Sequence, residues 1–181
     1  MRYAGIIYDD TAAAPGLCLS FYTQGCPIHC KGCHNPETWN PDGGHEFTSQ
    51  TIDNILEGLT KQGIQRSFAV LGGEPLSPGN LFLTAMVVQT VREKYSSIPI
   101  WIWTGYTMEE LAGNASNPHL RAVLNKTNVL VTGPFIEEER DITLKWRGSA
   151  NQKVYQFDPK KNLWYNIENE EEEFTINGRT N

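Results

Sequence analysis

The sequence has no apolar run approaching the roughly 20 residues that cross a bilayer, and no charged segment leads into an apolar one at its start. Neither a membrane span nor a signal peptide is therefore expected. Cysteine is scarce, at four in 181 residues. That is too few for a disulfide scaffold and points to the cytoplasm. Basic side chains are in deficit, 15 against 21 acidic ones for a net charge of −6, which argues against a nucleic-acid-binding face. No internal repeat and no second domain are visible. What remains is a chain whose 39% hydrophobic side chains suffice for one domain with a genuine core.

The cysteines that are present are not scattered. Cys26, Cys30 and Cys33 fall within eight residues at spacing C-x3-C-x2-C. A loop that short can bring three sulfurs onto one inorganic centre, and such crowding favours metal or redox chemistry over bridges. Iron–sulfur cubanes normally take four thiolates. Three from one loop leave one iron without a protein ligand, and an open position marks a catalytic centre by the logic used for zinc. A structural zinc ion would need a fourth ligand, with His29, His34 or Cys18 as candidates. His34 adjoins Cys33, however, and there is no second cysteine pair. The plainest alternative is three buried thiols with no metal. Cys18 sits in a predicted strand and reads as a small buried hydrophobe.

Along the chain, Ala4 to Tyr8 and Leu17 to Thr23 read as strands, the second feeding the cysteine loop. Thr48 is a plausible N-cap for a helix carrying Ile52, Ile55, Leu56 and Leu59 at helical spacing, closed by Gly63. Ser67 to Leu71 is a buried-type strand followed at once by Gly72-Gly73-Glu74-Pro75. A helix over about Asn80 to Tyr95 precedes a strand at Pro99 to Trp103, which ends in Thr104-Gly105-Tyr106. Short helices near Met108 to Ala112 and His119 to Leu124 lead to a strand at Asn128 to Thr132 and then Gly133-Pro134-Phe135. Such alternation implies βαβ units and a parallel sheet, whose right-handed crossovers put all four loops on one edge. Beyond Phe135 the pattern fails: a charge cluster at Glu137 to Arg140, a basic-aromatic loop at Lys145 to Ser149, and a possible edge strand at Lys153 to Asp158. Residues 159–181, with five glutamates in six positions from Glu168, read as a partly disordered, solvated acidic tail.

The cysteine spacing followed by a Gly-Gly-Glu turn resembles radical S-adenosylmethionine enzymes. Gly25-Cys26, Gly32-Cys33-His34-Asn35, Thr38-Trp39, Gly72-Gly73-Glu74-Pro75-Leu76, Trp103-Thr104-Gly105-Tyr106, Gly133-Pro134-Phe135 and Trp146-Arg147-Gly148-Ser149-x-Asn151-Gln152 occur in this order. Together, over residues 1–158, they are similar to the family of activating proteins of anaerobic (class III) ribonucleotide reductase. His34 stands where that family often has an aromatic residue.

The resemblance implies an α/β fold, a single-domain partial (β/α) barrel of parallel strands. It implies that Cys26, Cys30 and Cys33 hold a 4Fe-4S cluster whose fourth iron takes the amine and carboxylate of S-adenosylmethionine. One electron would then cleave the sulfonium bond to methionine and a 5′-deoxyadenosyl radical, which takes hydrogen from a glycine of the reductase. The electron would come from a low-potential donor such as flavodoxin. Contacts to S-adenosylmethionine are expected from Gly32, Cys33, His34, Gly72, Gly73, Glu74 and Thr104, with Glu74 accepting from the methionyl ammonium. Arg147, Asn151 and Gln152 are candidates for cofactor or partner contacts. Each has a structural counter-reading: a strand-to-helix turn for Gly72 to Glu74, a turn cap for Thr104, a surface loop for Arg147 to Gln152. Two other functions compete, activation of another glycyl-radical enzyme of the pyruvate formate-lyase type, and a non-catalytic zinc module.

Overall fold

The computed structural model of the protein describes residues 1–176. Nine strands form one mixed sheet in the order β3-β1-β2-β4-β5-β6-β7-β8-β9. Its centre is parallel: β2 (Cys18–Thr23), β4 (Ser67–Gly72), β5 (Ile100–Trp103) and β6 (Val129–Thr132) run side by side in one direction. These strands are short and apolar with little alternation, as strands buried on both faces must be. Antiparallel strands extend the sheet at each side. β1 (Arg2–Asp10) pairs β2 and carries the two-residue β3 (His45–Glu46), while β7 (Lys153–Asp158) pairs β6.

β7 is not an edge strand, because β8 (Leu163–Asn166) and β9 (Asn169–Phe174) continue the sheet beyond it. The acidic segment is thus β structure as far as Phe174, its remainder from 177 lying outside the described residues. Its charges are answered across the ladder. The Glu172 carboxylate accepts from Lys153 Nζ and Tyr155 Oη at 2.5 Å and from Asn166 Nδ2 at 3.0 Å. Burial alone would raise its pKa, but these donors outweigh it and hold the group at about 2.

The helices cover one face of the sheet. α1 (Ser49–Thr60) starts where expected, with Thr48 and Thr51 forming a reciprocal capping box. α2 (Leu81–Lys94), α3 (Met108–Gly113) and α4 (Pro118–Leu124) follow as crossovers, α4 capped by Asn117 accepting from His119 and Leu120 N–H. Ile55, Leu59, Leu83, Val87, Val91, Leu120 and Val123 pack with Leu19, Phe21, Phe68, Val70, Ile100, Ile102 and Leu130 in the main core. Among the described residues the other face has no helix. Cys18, Ala69, Trp101, Val129 and Val131 are covered there by Ala13 and Ala14 of the β1–β2 loop and by Trp146. Among the described residues no helix is long and apolar enough to cross a membrane.

Arg66 ties the elements behind the parallel strands. Its buried guanidinium donates to the Gly58, Lys61 and Ile64 carbonyls at 2.9 to 3.2 Å, and pairs Asp9 of β1 at 2.6 Å. Arg66 thereby fastens the end of α1 and the turn after it to β1.

Candidate functional site

Because β2, β4, β5 and β6 are parallel, the loops leaving their C-terminal ends meet at one edge. They surround a cleft of about 420 Å³, open to solvent. Cys26, Cys30, Cys33 and His34 line it from the loop after β2, Gly72, Gly73 and Glu74 after β4, Thr104 and Gly105 after β5, and Gly133 and Phe135 after β6. Arg147, Gly148 and Gln152 close it from the later loop. Gly32 and Asn151 lie outside its lining, as do Cys18 and His29. Gly32, at φ 71°, turns the chain between Cys30 and Cys33, and the Cys33 N–H donates to the Cys30 carbonyl at 3.1 Å.

The three thiols lie in the cleft wall and belong to neither hydrophobic core. All three are half-buried. Burial pushes the Cys26 and Cys30 thiols up, against backbone hydrogen bonds from His29 and Ile28 to Cys26 and from Phe135 to Cys30. The Asn35 N–H lies 3.4 Å from Cys33 Sγ. N–H groups aimed at sulfur, on three thiols that share one cavity wall, suit an iron–sulfur cluster, whose stability and potential depend on such bonds. Among the described residues no three His, Cys, Asp or Glu side chains are spaced to hold a single metal ion. A cubane instead takes each thiolate on a different iron. Cys18 is fully buried 3.6 Å from Ser20 Oγ, the packing role expected of it.

Glu74 is the buried carboxyl group of the site. Only 2% exposed, its carboxylate accepts from Leu76 N–H at 2.9 Å, Thr104 Oγ1 at 2.7 Å and Gly105 N–H at 2.7 Å. Desolvation dominates those donors and lifts its pKa to about 7. One carboxylate thus ties the ends of β4 and β5 together beside the thiols. Gly73 has to be glycine: a Cβ there would fall 2.5 Å from the Gly25 carbonyl oxygen. Glu74 N–H donates to that same oxygen at 3.0 Å, and Asn80 Nδ2 does so at 2.8 Å. The cysteine loop is thereby locked to the Gly-Gly-Glu turn.

Several of the remaining side chains are engaged by the fold itself. Thr104 Oγ1 donates to Glu74 and accepts from Tyr106 N–H at 3.2 Å, which is the turn-capping role. Gln152 accepts from Gly148 and Ser149 N–H and donates to the Gly133 carbonyl at 3.0 Å, while Asn151 donates to the Pro134 carbonyl at 2.8 Å. These two amides sew the later loop to the end of β6. Arg147 pairs Glu168 at 2.5 Å, and its Nε is buried without a partner. His34 packs on Phe135, ring centroids 5.0 Å apart.

Asp10, Ala12, Ala13, Tyr22, Leu144 and Trp146 also line the cleft. Apart from Trp146, which opens the Trp146–Gln152 motif, nothing in their local pattern marks them. Asp10 ends β1 and Tyr22 lies in β2, while the others reach the cleft because the β1–β2 loop and the 140–149 loop fold over the helix-free face.

Comparison with known proteins agrees with this geometry. The 4Fe-4S single cluster domain family matches residues 12–155. The anaerobic ribonucleoside-triphosphate reductase-activating protein of Vibrio cholerae is 38% identical over 158 residues, covering 87% of this chain and 99% of that one. Its counterparts from Salmonella typhi and Escherichia coli K12 are each 36% identical over 156 residues, covering 86% of this chain and 98% of theirs. With a three-thiol cleft at the parallel edge and matches of this extent, the chain belongs to the family of anaerobic ribonucleoside-triphosphate reductase-activating proteins and carries a 4Fe-4S single cluster domain.

Proposed function

We propose that this protein installs the glycyl radical of an anaerobic ribonucleoside-triphosphate reductase as a radical S-adenosylmethionine enzyme. The observation that carries the reading is the convergence of Cys26, Cys30 and Cys33 with the Gly72-Gly73-Glu74 turn on one cleft. Three thiolates leave room at the cluster for one exchangeable ligand. When bound, the reduced cluster supplies the electron that splits the sulfonium of S-adenosylmethionine into methionine and a 5′-deoxyadenosyl radical, which takes a hydrogen atom from the reductase glycine.

The chain's own residues supply binding, orientation and exclusion of water. Cys26, Cys30 and Cys33 would hold the cluster. The buried Glu74 presents a carboxylate in a low-dielectric wall, where an ammonium is attracted more strongly than in water. Thr104 and Gly105 fix that carboxylate by two short bonds, so it needs no reorganisation when a ligand arrives. Gly72 and Gly73 let the turn pack directly on Tyr22 and Gly25, and His34 packed on Phe135 offers an aromatic wall. Leu144 and Trp146 narrow the far side, limiting the water that would quench a carbon radical. The parallel β2-β4-β5-β6 run with its helices on one face supports the partial (β/α) barrel expected of such enzymes. A flavodoxin-type donor and a cytoplasmic setting complete the reading.

Anaerobic reconstitution with iron and sulfide, followed by reduction and addition of S-adenosylmethionine, tests it. A 4Fe-4S absorption band and stoichiometric 5′-deoxyadenosine are expected; bound zinc with no such band contradicts it.

A further inference from the structure

Arg147 is the one lysine or arginine among the residues that line the cleft. Its side chain is only 8% exposed, and a guanidinium so buried has to be answered by acceptors and an anion. Nη1 donates to the Gln152 carbonyl at 2.8 Å, and Nη2 pairs the Glu168 carboxylate at 2.5 Å. That carboxylate comes from outside the site. Ile167 and Glu168 form the turn between β8 and β9, beyond residue 155 where the family match ends. The turn is itself well anchored. Ile167 N–H donates to the Val154 carbonyl at 3.0 Å, and its side chain packs against the same apolar cluster as Trp103 and Trp146. Glu168 N–H donates to Asn166 Oδ1 at 3.0 Å.

The wall that this turn reaches is strained. Trp146 has φ 62°, a left-handed conformation that a bulky residue keeps only where its surroundings impose it. Trp103 Nε1 donates to the Trp146 carbonyl at 2.7 Å, and Gln152 Oε1 accepts from Gly148 and Ser149 N–H at 2.9 and 3.3 Å. Between these anchored neighbours, the Arg147 side chain is fastened by the Gln152 carbonyl and by Glu168. We propose that Glu168 is a positioning residue of the cleft: through Arg147 it holds the Trp146–Gly148 wall in place, and so sets how tightly the cleft takes S-adenosylmethionine. The ligand rests on the function proposed above, whereas the coupling of hairpin to wall does not. Glu168 is absent from the cleft lining, so it acts through the ion pair. Because Glu168 is 53% exposed, that pair is open to screening by salt. An element outside the family match thereby tunes a site inside it.

Glu168→Ala tests this, with Glu168→Gln removing the charge while keeping an acceptor. Lys161→Ala is the control, since it breaks a different hairpin ion pair, Lys161–Glu173 at 3.3 Å, whose members do not line the cleft. Amide hydrogen exchange on the full chain reads the wall directly. Residues 146–149 are expected to exchange at least about tenfold faster in Glu168→Ala, with those of β4 and β5 unchanged. High salt is expected to speed exchange there in the wild type but not in the variant. Calorimetry on cluster-loaded protein is expected to show S-adenosylmethionine bound roughly three- to tenfold more weakly by Glu168→Ala and Glu168→Gln. Iron content in both, and the affinity of Lys161→Ala, should match the wild type. Unchanged exchange at residues 146–149 overturns the proposal, as does an equal effect of Lys161→Ala. Faster exchange with wild-type affinity overturns it too, because the wall would then not govern the ligand. A wild type that binds no S-adenosylmethionine sinks the proposed function, and the exchange rates still decide the coupling.

Discussion

Glu74 serves as a tie between strand ends and, in the proposed function, as an anion facing the methionyl ammonium. Its pKa of about 7 makes both roles measurable. Unfolded, it loses its proton near 4.5; folded, it keeps the proton until about 7. The folded state thus binds more protons between these values, so stability falls as pH rises through that window and levels off above it. Glu74→Gln is expected to flatten this slope in urea titrations. Affinity for S-adenosylmethionine runs the other way: it rises as pH passes about 7, because only the carboxylate attracts the ammonium, and calorimetry on the reconstituted protein would follow it. Losing one charge-assisted bond, worth about 1.5–3 kcal/mol, Glu74→Gln should bind at least about tenfold more weakly and without that rise. The thiols make a sharper set. Alanine at any one of Cys26, Cys30 or Cys33 is expected to abolish formation of 5′-deoxyadenosine, and Cys18→Ala to retain iron and cleavage. A Cys30→Ala protein that still cleaves would show the ligand assignment wrong. The thiols were legible because their spacing is local. The engagement of Thr104, Asn151 and Gln152 by neighbouring loops was not, since which donor meets which carbonyl depends on how distant strand ends approach.

At the scale of elements, the Arg66 tie is the most exposed to test. It joins the carbonyls of Gly58 at the end of α1 and of Lys61 and Ile64 in the turn beyond it to an aspartate on β1 through one buried guanidinium. Arg66→Ala is expected to cost about 2–4 kcal/mol, read from the urea midpoint. The helices and parallel strands could be read from periodicity and caps: Thr48, Gly63 and the apolar runs mark α1, β4, β5 and β6 to within a residue or two. β8 and β9 could not. A run of glutamates looks solvated until Lys153, Lys161, Tyr155 and Asn166 stand opposite it, and that pairing is tertiary. The same ladder turned β7 from an expected edge into an interior strand.

For the molecule as a whole, the family match ends at residue 155, inside β7, so the β8–β9 hairpin lies outside it. The cleft draws no lining residue from that hairpin. Deleting residues 159–181 uncovers Tyr155, now 1% exposed, and removes the buried Trp164. Such a protein is expected to load iron as the full chain does and to melt about 5–15 °C lower. Retention of the full melting temperature would mean that the hairpin is decoration. Reduced, cluster-loaded protein mixed anaerobically with S-adenosylmethionine and an anaerobic ribonucleoside-triphosphate reductase should give the EPR doublet of a glycyl radical on the reductase, with one 5′-deoxyadenosine formed per radical. Formation of 5′-deoxyadenosine with no doublet on the reductase, or a doublet that persists in the Cys33→Ala protein, would contradict it.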